Sequence, residues 1–160
     1  MNKVNKIFIP TDFSICSIEA LSYGVFLARQ LKATVLLAHI MEPAYPPLSA
    51  DGRPFGYAEL KIGQGLDRLA RPWRRGDVPI ETHLLRGSPA VDIVSAAQRL
   101  ECDLIVMGTH GRKGISHALM GSVTESVIRN SPVPVLAVKQ RKEEVEVKAG
   151  LGFKLATLPA

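Results

Sequence analysis

Short apolar runs rich in β-branched residues alternate along this chain with segments whose apolar positions recur every three or four residues. That alternation predicts strands joined by crossover helices, an α/β domain built on an open, doubly wound five-stranded parallel sheet with helices on both faces. The first strand is Lys6-Ile7-Phe8-Ile9, ended by Pro10. A helix from Ser17 to Leu31 follows, with Ala20, Leu21, Gly24, Ala28 and Leu31 on one face. The second strand is Thr34 to Ile40. The prolines at 43, 46, 47 and 54 exclude helix or central strand between Glu42 and Gly56.

Beyond the prolines, Ile62, Leu66, Leu69 and Ala70 form the stripe of a weaker helix from about Ala58 to Arg71, interrupted by Gly63 and Gly65. Ile80 to Arg86 is the third strand. Gly87-Ser88-Pro89 then opens a helix running to about Leu100, with the Ser88 hydroxyl as cap acceptor and Pro89 at a position where its missing N–H costs nothing. Asp103 to Met107, apolar on both faces, reads as a central strand. A glycine-rich loop follows, then a helix to Arg129 stopped by Asn130-Ser131-Pro132, and a last strand from Val133 to Val138. These elements place a single domain in residues 1–139 and leave residues 140–160 as a tail of mixed charge.

Composition narrows the class. The chain has 160 residues, 46% hydrophobic and 22% charged, so it is globular and long enough for one core. Its net charge of +5 favours anionic partners, but the basic residues are scattered and form no nucleic-acid stripe. Two cysteines, Cys16 and Cys102, make no disulfide framework, and both read as small buried hydrophobes. No signal peptide or membrane-spanning run is visible, which predicts a cytoplasmic protein without membrane attachment. The four histidines lack metal-ligand spacing, and His39, on an apolar strand, reads as a hydrogen-bonded core residue.

The chemistry concentrates in the segment Gly108 to Thr124. Gly108 leaves the carboxyl end of the fourth strand and is free to take positive φ, while Gly121 and Ser122 open the last helix. Free N–H groups at a helix N-terminus, approached over a glycine, suit a phosphate. Ser122-Val123-Thr124-Glu125 also fits a capping box, in which Glu125 would satisfy a backbone donor. The second half of the site is Pro10-Thr11-Asp12-Phe13-Ser14. If the first and fourth strands are neighbours, their helices depart to opposite faces and a crevice opens between Asp12 and Gly108. Asp12 then suits a ribose hydroxyl or the edge of a base; taken alone it reads as a turn residue or cap. His110, Arg112, Lys113 and His117 read as ordinary residues of a solvated loop. Neither a lysine-bearing phosphate loop nor a G-x-G-x-x-G fingerprint occurs.

The glycine spacing, Gly108, two residues, Gly111, nine residues, Gly121 and then Ser122, resembles the ATP-binding branch of the universal stress proteins. The likeness extends to Pro10-Thr11-Asp12-Phe13-Ser14, Leu37-Ala38-His39-Ile40, Gly87-Ser88-Pro89 and Ser131 to Leu136, over roughly residues 3–139. It implies strand order 3-2-1-4-5 and ATP as ligand, with Mg or Mn admitted at the phosphates. By the same resemblance Pro10 and Thr11 belong to the nucleotide site, Asp12 and the Ile40 backbone address ribose and adenine, Met107 and Gly108 flank the ribose, and Gly111, Gly121, Ser122, Val123 and Thr124 hold the phosphates. It also implies a homodimer through Val133 to Val138, which would cover an apolar strand edge. A nucleotide-dependent binding or signalling module is the preferred function. The rivals are a slow ATP hydrolase using the same crevice, for which no convincing catalytic carboxylate stands near Gly121, and a nucleotide-free interaction protein of the same fold.

Overall fold

The computed structural model describes residues 3–43, 56–74, 76–111 and 120–139. Strands β1 (Lys6–Pro10), β2 (Thr34–Met41), β3 (Ile80–Arg86), β4 (Leu104–Gly108) and β5 (Val135–Val138) form one sheet in the order β3-β2-β1-β4-β5. Every pairing is parallel, with Ile7 opposite Val35 on one side and Leu104 on the other. Helices α1 (Ile15–Leu31) and α2 (Tyr57–Ala70) cover one face; α3 (Pro89–Arg99) and α4 (Ser122–Asn130) cover the other. Each face carries its own core. Ile7, Ile9, Val35, Leu37 and Val106 point to α1 and α2, whereas Phe8, Leu36, Ile40, Ile105 and Met107 point to α3 and α4. Strict alternation along doubly covered strands produces the continuous apolar runs of the sequence.

The expected elements all form, and the differences lie at their ends. Helix α1 begins at Ile15, before Ser17, because the Ser14 hydroxyl accepts from Ser17 N at 3.2 Å and caps it. It ends at Lys32, which takes the left-handed conformation (φ 56°). Helix α2 forms despite Gly63 and Gly65 because Leu66 and Ala70 are buried against the sheet. At α3 the Ser88 side chain makes no cap. The Asp92 carboxylate reaches back to Ser88 N at 2.7 Å and fills the space beside Gly87, whose φ of 142° only glycine adopts readily. Strand β5 starts at Val135, since Pro134 has no N–H to donate and Ser131 Oγ accepts from Val133 N. Among the described residues no helix is long and apolar enough to cross a membrane.

Two cysteines are buried as expected. The Cys16 thiol donates to the Val138 carbonyl at 3.5 Å. Burial pushes the Cys102 thiol up to about 11, against a weaker downward pull from Lys6.

Candidate functional site

Strands β1 and β4 are neighbours, and the helices that follow them leave to opposite faces, so a crevice opens at their carboxyl ends. Its floor follows from the different lengths of the strands. Thr11 N donates to the Ala38 carbonyl at 2.8 Å, the last ladder bond between the first two strands. Two residues on, by the two-residue period of a strand, the backbone of Ile40 points the same way, past the end of β1. The Ile40 side chain is buried in the α3/α4 core, so Ile40 meets the crevice through its backbone. Met107 is buried in the same core, and its N–H shares the direction of Ile105 N and Thr109 N, which donate to the Pro134 and Val138 carbonyls beside β5.

The β1–α1 loop forms one wall. Asp12 Oδ1 accepts from Ser14 N at 3.0 Å, an Asx turn, so the turn reading of Asp12 holds for that oxygen. Its Oδ2 faces Gly111: a Cβ built there would stand 2.8 Å from it. The loop after β4 thus closes on the carboxylate of the β1–α1 loop, and a side chain at position 111 would displace that carboxylate. Thr11 is buried; its hydroxyl meets Ser17 Oγ at 3.0 Å and accepts from Phe13 N at 3.1 Å. Pro10 pairs with Ala38 as the last residue of β1 and brings no N–H into the crevice.

The opposite wall is the first turn of α4. Gly121 is the N-cap, with extended backbone (φ −71°, ψ 148°), and among the described residues no side chain caps the helix. Its N–H donates to the Thr109 carbonyl at 2.7 Å, and a Cβ on it would press that carbonyl at 3.2 Å. The first intrahelical bond runs from Glu125 N to Gly121 O, so the N–H groups of Ser122, Val123 and Thr124 lie ahead of the ladder.

Two expectations need correction here, and one residue turns its side chain away from the crevice. Ser122 is the first helical residue rather than the cap, and Glu125 binds Arg129 at 2.7 Å instead of reaching back, so the capping box does not form. Gly108 is not among the residues with positive φ; it is glycine because a Cβ would stand 2.7 Å from Cys16 Sγ and 3.0 Å from the Cys16 carbonyl oxygen. The Thr124 hydroxyl is buried and donates to the Gly108 carbonyl at 2.8 Å, so only its N–H faces the crevice.

Thr109, His39 and Phe13 belong to the site although sequence reasoning gave them no role in it. Thr109, 1% exposed, donates its N–H to Val138 O at 2.9 Å and meets His110 Nδ1 through its hydroxyl, also at 2.9 Å. The signal was its place between two of the patterned glycines. His39 is buried and hydrogen-bonded as read, with Nδ1 donating to the Thr11 carbonyl at 2.7 Å, which places its partner inside the site loop. Arg112, Lys113, Gly114 and His117 lie outside the described residues.

The comparisons bear on the family and the fold. The model of the universal stress protein family matches residues 3–139. A universal stress protein of Methanocaldococcus jannaschii is 37% identical over 147 residues, covering 89% of this chain and 86% of that protein. Among solved structures, a hypothetical protein of the same organism, whose biochemical function was assigned from its structure, superposes with a TM-score of 0.73 at 26% identity, over 88% of this chain and 99% of that one. A universal stress protein in complex with cAMP superposes with a TM-score of 0.67 at 25% identity, over 86% and 98%. Matched over most of its length in sequence and in fold, the chain belongs to the universal stress protein family.

Proposed function

We propose that this protein binds ATP in the crevice between β1 and β4 and acts as a nucleotide-dependent binding or signalling module. The observation that carries this reading is the meeting of the two walls, the Asp12 carboxylate against the Gly111 backbone, beside the uncapped first turn of α4. The carboxylate suits ribose hydroxyls, and the Ile40 backbone supplies a donor and an acceptor for a base edge. The N–H groups of Ser122, Val123 and Thr124 suit phosphate oxygens, each charge-assisted bond contributing roughly 1.5–3 kcal/mol. A relative of this fold that holds cAMP supports an adenine nucleotide. Three successive N–H groups, those of Ser122, Val123 and Thr124, favour a polyphosphate over a cyclic monophosphate.

Among the described residues no group of three His, Cys, Asp or Glu side chains gathers as a metal site. In this reading a divalent ion, Mg or Mn, belongs on the nucleotide phosphates. The same carboxylate inventory disfavours hydrolysis: Asp12 lies at the sugar end and Glu125 is paired with Arg129. Residues 1–139 are proposed as the nucleotide-binding domain and 140–160 as an extension of it, in a cytoplasmic homodimer joined along β5. Among the described residues Val135 to Val138 pair only with β4, and they are half-buried, which supports an edge open to a second copy.

The test is to denature the purified protein, identify any released nucleotide by mass, and titrate the emptied protein with ATP, ADP, AMP and cAMP. Release of ATP, with affinity on the order of micromolar, is the expected result. ADP or AMP with turnover would favour the hydrolase; no affinity for any of the four would sink the assignment.

A further inference from the structure

We infer that Phe13 is a positioning residue of this site, and that Gly65 of α2 is glycine to admit its ring, so that α2 helps to aim Asp12. The inference rests on the nucleotide reading above and adds a specificity determinant to it. Phe13 has φ 64°, in the left-handed region that a bulky L residue adopts only where its surroundings impose it. That conformation reverses the chain between Asp12 and Ser14. It allows Phe13 N to reach Thr11 Oγ1 and Ser14 N to reach Asp12 Oδ1, which leaves Oδ2 toward Gly111.

Two neighbours of its ring hold Phe13 there. One is the His39 ring, centroid to centroid 5.0 Å and tilted 42°, itself tied to the Thr11 carbonyl. The other is Gly65, where a Cβ would stand 3.1 Å and 3.3 Å from Phe13 Cε1 and Cζ. A glycine in a helix interior is otherwise a poor choice. Gly63, two residues earlier in the same helix, has nothing within 4 Å of its missing Cβ, so it shares the helical penalty without the contact. The ring is therefore wedged between β2 and α2, and the direction of the Asp12 carboxylate follows from the wedge.

Calorimetric titration with ATP and 2′,3′-dideoxy-ATP tests this on the wild type, Gly63→Ala, Gly65→Ala and Phe13→Ala. Wild type and Gly63→Ala are expected to prefer ATP about tenfold or more, the worth of a charge-assisted hydrogen bond. In Gly65→Ala and Phe13→Ala that preference should fall to within about twofold, with dideoxy-ATP affinity and helix content kept. Two variants make the test independent of either one's folding. A wild-type preference retained in whichever of the two folds would overturn the inference. So would a wild type that binds both nucleotides equally, while leaving the crevice assignment standing. A wild type that binds neither overturns the nucleotide reading and this inference with it.

Discussion

Thr124 Oγ1 donates to the carbonyl of Gly108 at 2.8 Å, and this buried bond fastens the first turn of α4 to the last residue of β4. The two elements that frame the phosphate end of the crevice therefore move together. Thr124→Val keeps the shape, removes the donor and strands the carbonyl, which should destabilise the fold by about 1–3 kcal/mol. Urea unfolding should show a lower midpoint with an unchanged slope, and Thr124→Ser should recover most of the loss.

Gly108 and Cys16 are in close contact, so a methyl group at position 108 meets both the thiol and the Cys16 backbone. Gly108→Ala is expected to destabilise by about 1–3 kcal/mol through overpacking. Adding Cys16→Ala should restore only part of it, because the Cys16 carbonyl oxygen, 3.0 Å from the new Cβ, stays in place. A double-mutant cycle by thermal or urea unfolding gives the coupling; full restoration would mean that the sulfur alone sets the requirement for glycine.

Gly111 and Gly121 divide stability from binding. At position 111 an added Cβ meets Asp12 Oδ2, the tip of a side chain rather than backbone, so Gly111→Ala should cost less than about 1 kcal/mol while turning the carboxylate away. At position 121 the obstacle is the Thr109 carbonyl, and Gly121→Val should displace the Thr109–Gly121 contact and abolish ATP binding with the rest of the fold preserved. Nucleotide titration alongside circular dichroism checks both. Undiminished affinity in Gly121→Val would remove α4 from the site.

Cys102 gives a pH signature. Its thiol, raised from 9.0 to about 11 by burial, stays protonated in the folded protein where the unfolded chain has already ionised. Its contribution to stability is complete below pH 9.0 and is lost as the pH rises toward about 11. Unfolding measured across that range should show a decline that Cys102→Ala flattens, and alkylation of this thiol in the folded protein should stay slow at pH 8.

The elements were legible because burial on both faces of β1, β2 and β4 writes uninterrupted apolar runs, and one-sided helices write their stripes. The ends were less legible, since caps depend on which neighbour wins. Ser14 captures α1, Asp92 displaces the Ser88 hydroxyl at α3, and Arg129 draws Glu125 away from the start of α4. The patterned glycines were visible as a set, but their separate reasons lie in partners far along the chain: Cys16 for Gly108, Asp12 for Gly111. Phe13 illustrates the limit, because no local signal marks a phenylalanine for the left-handed region.

The central strands β1 and β4 meet only after most of the chain has been made: Lys6 N binds Asp103 Oδ2 across 97 positions. Such a closure is slow compared with the local β1–β2 and β2–β3 crossovers, and it delays everything built on it. During synthesis the wall that carries Asp12 emerges first and waits, without its opposite wall, until α4 and β5 have left the ribosome. A nascent chain truncated before Gly121 would thus carry half a crevice, and under the proposed function ligand capture would be a late signal that the domain has been completed.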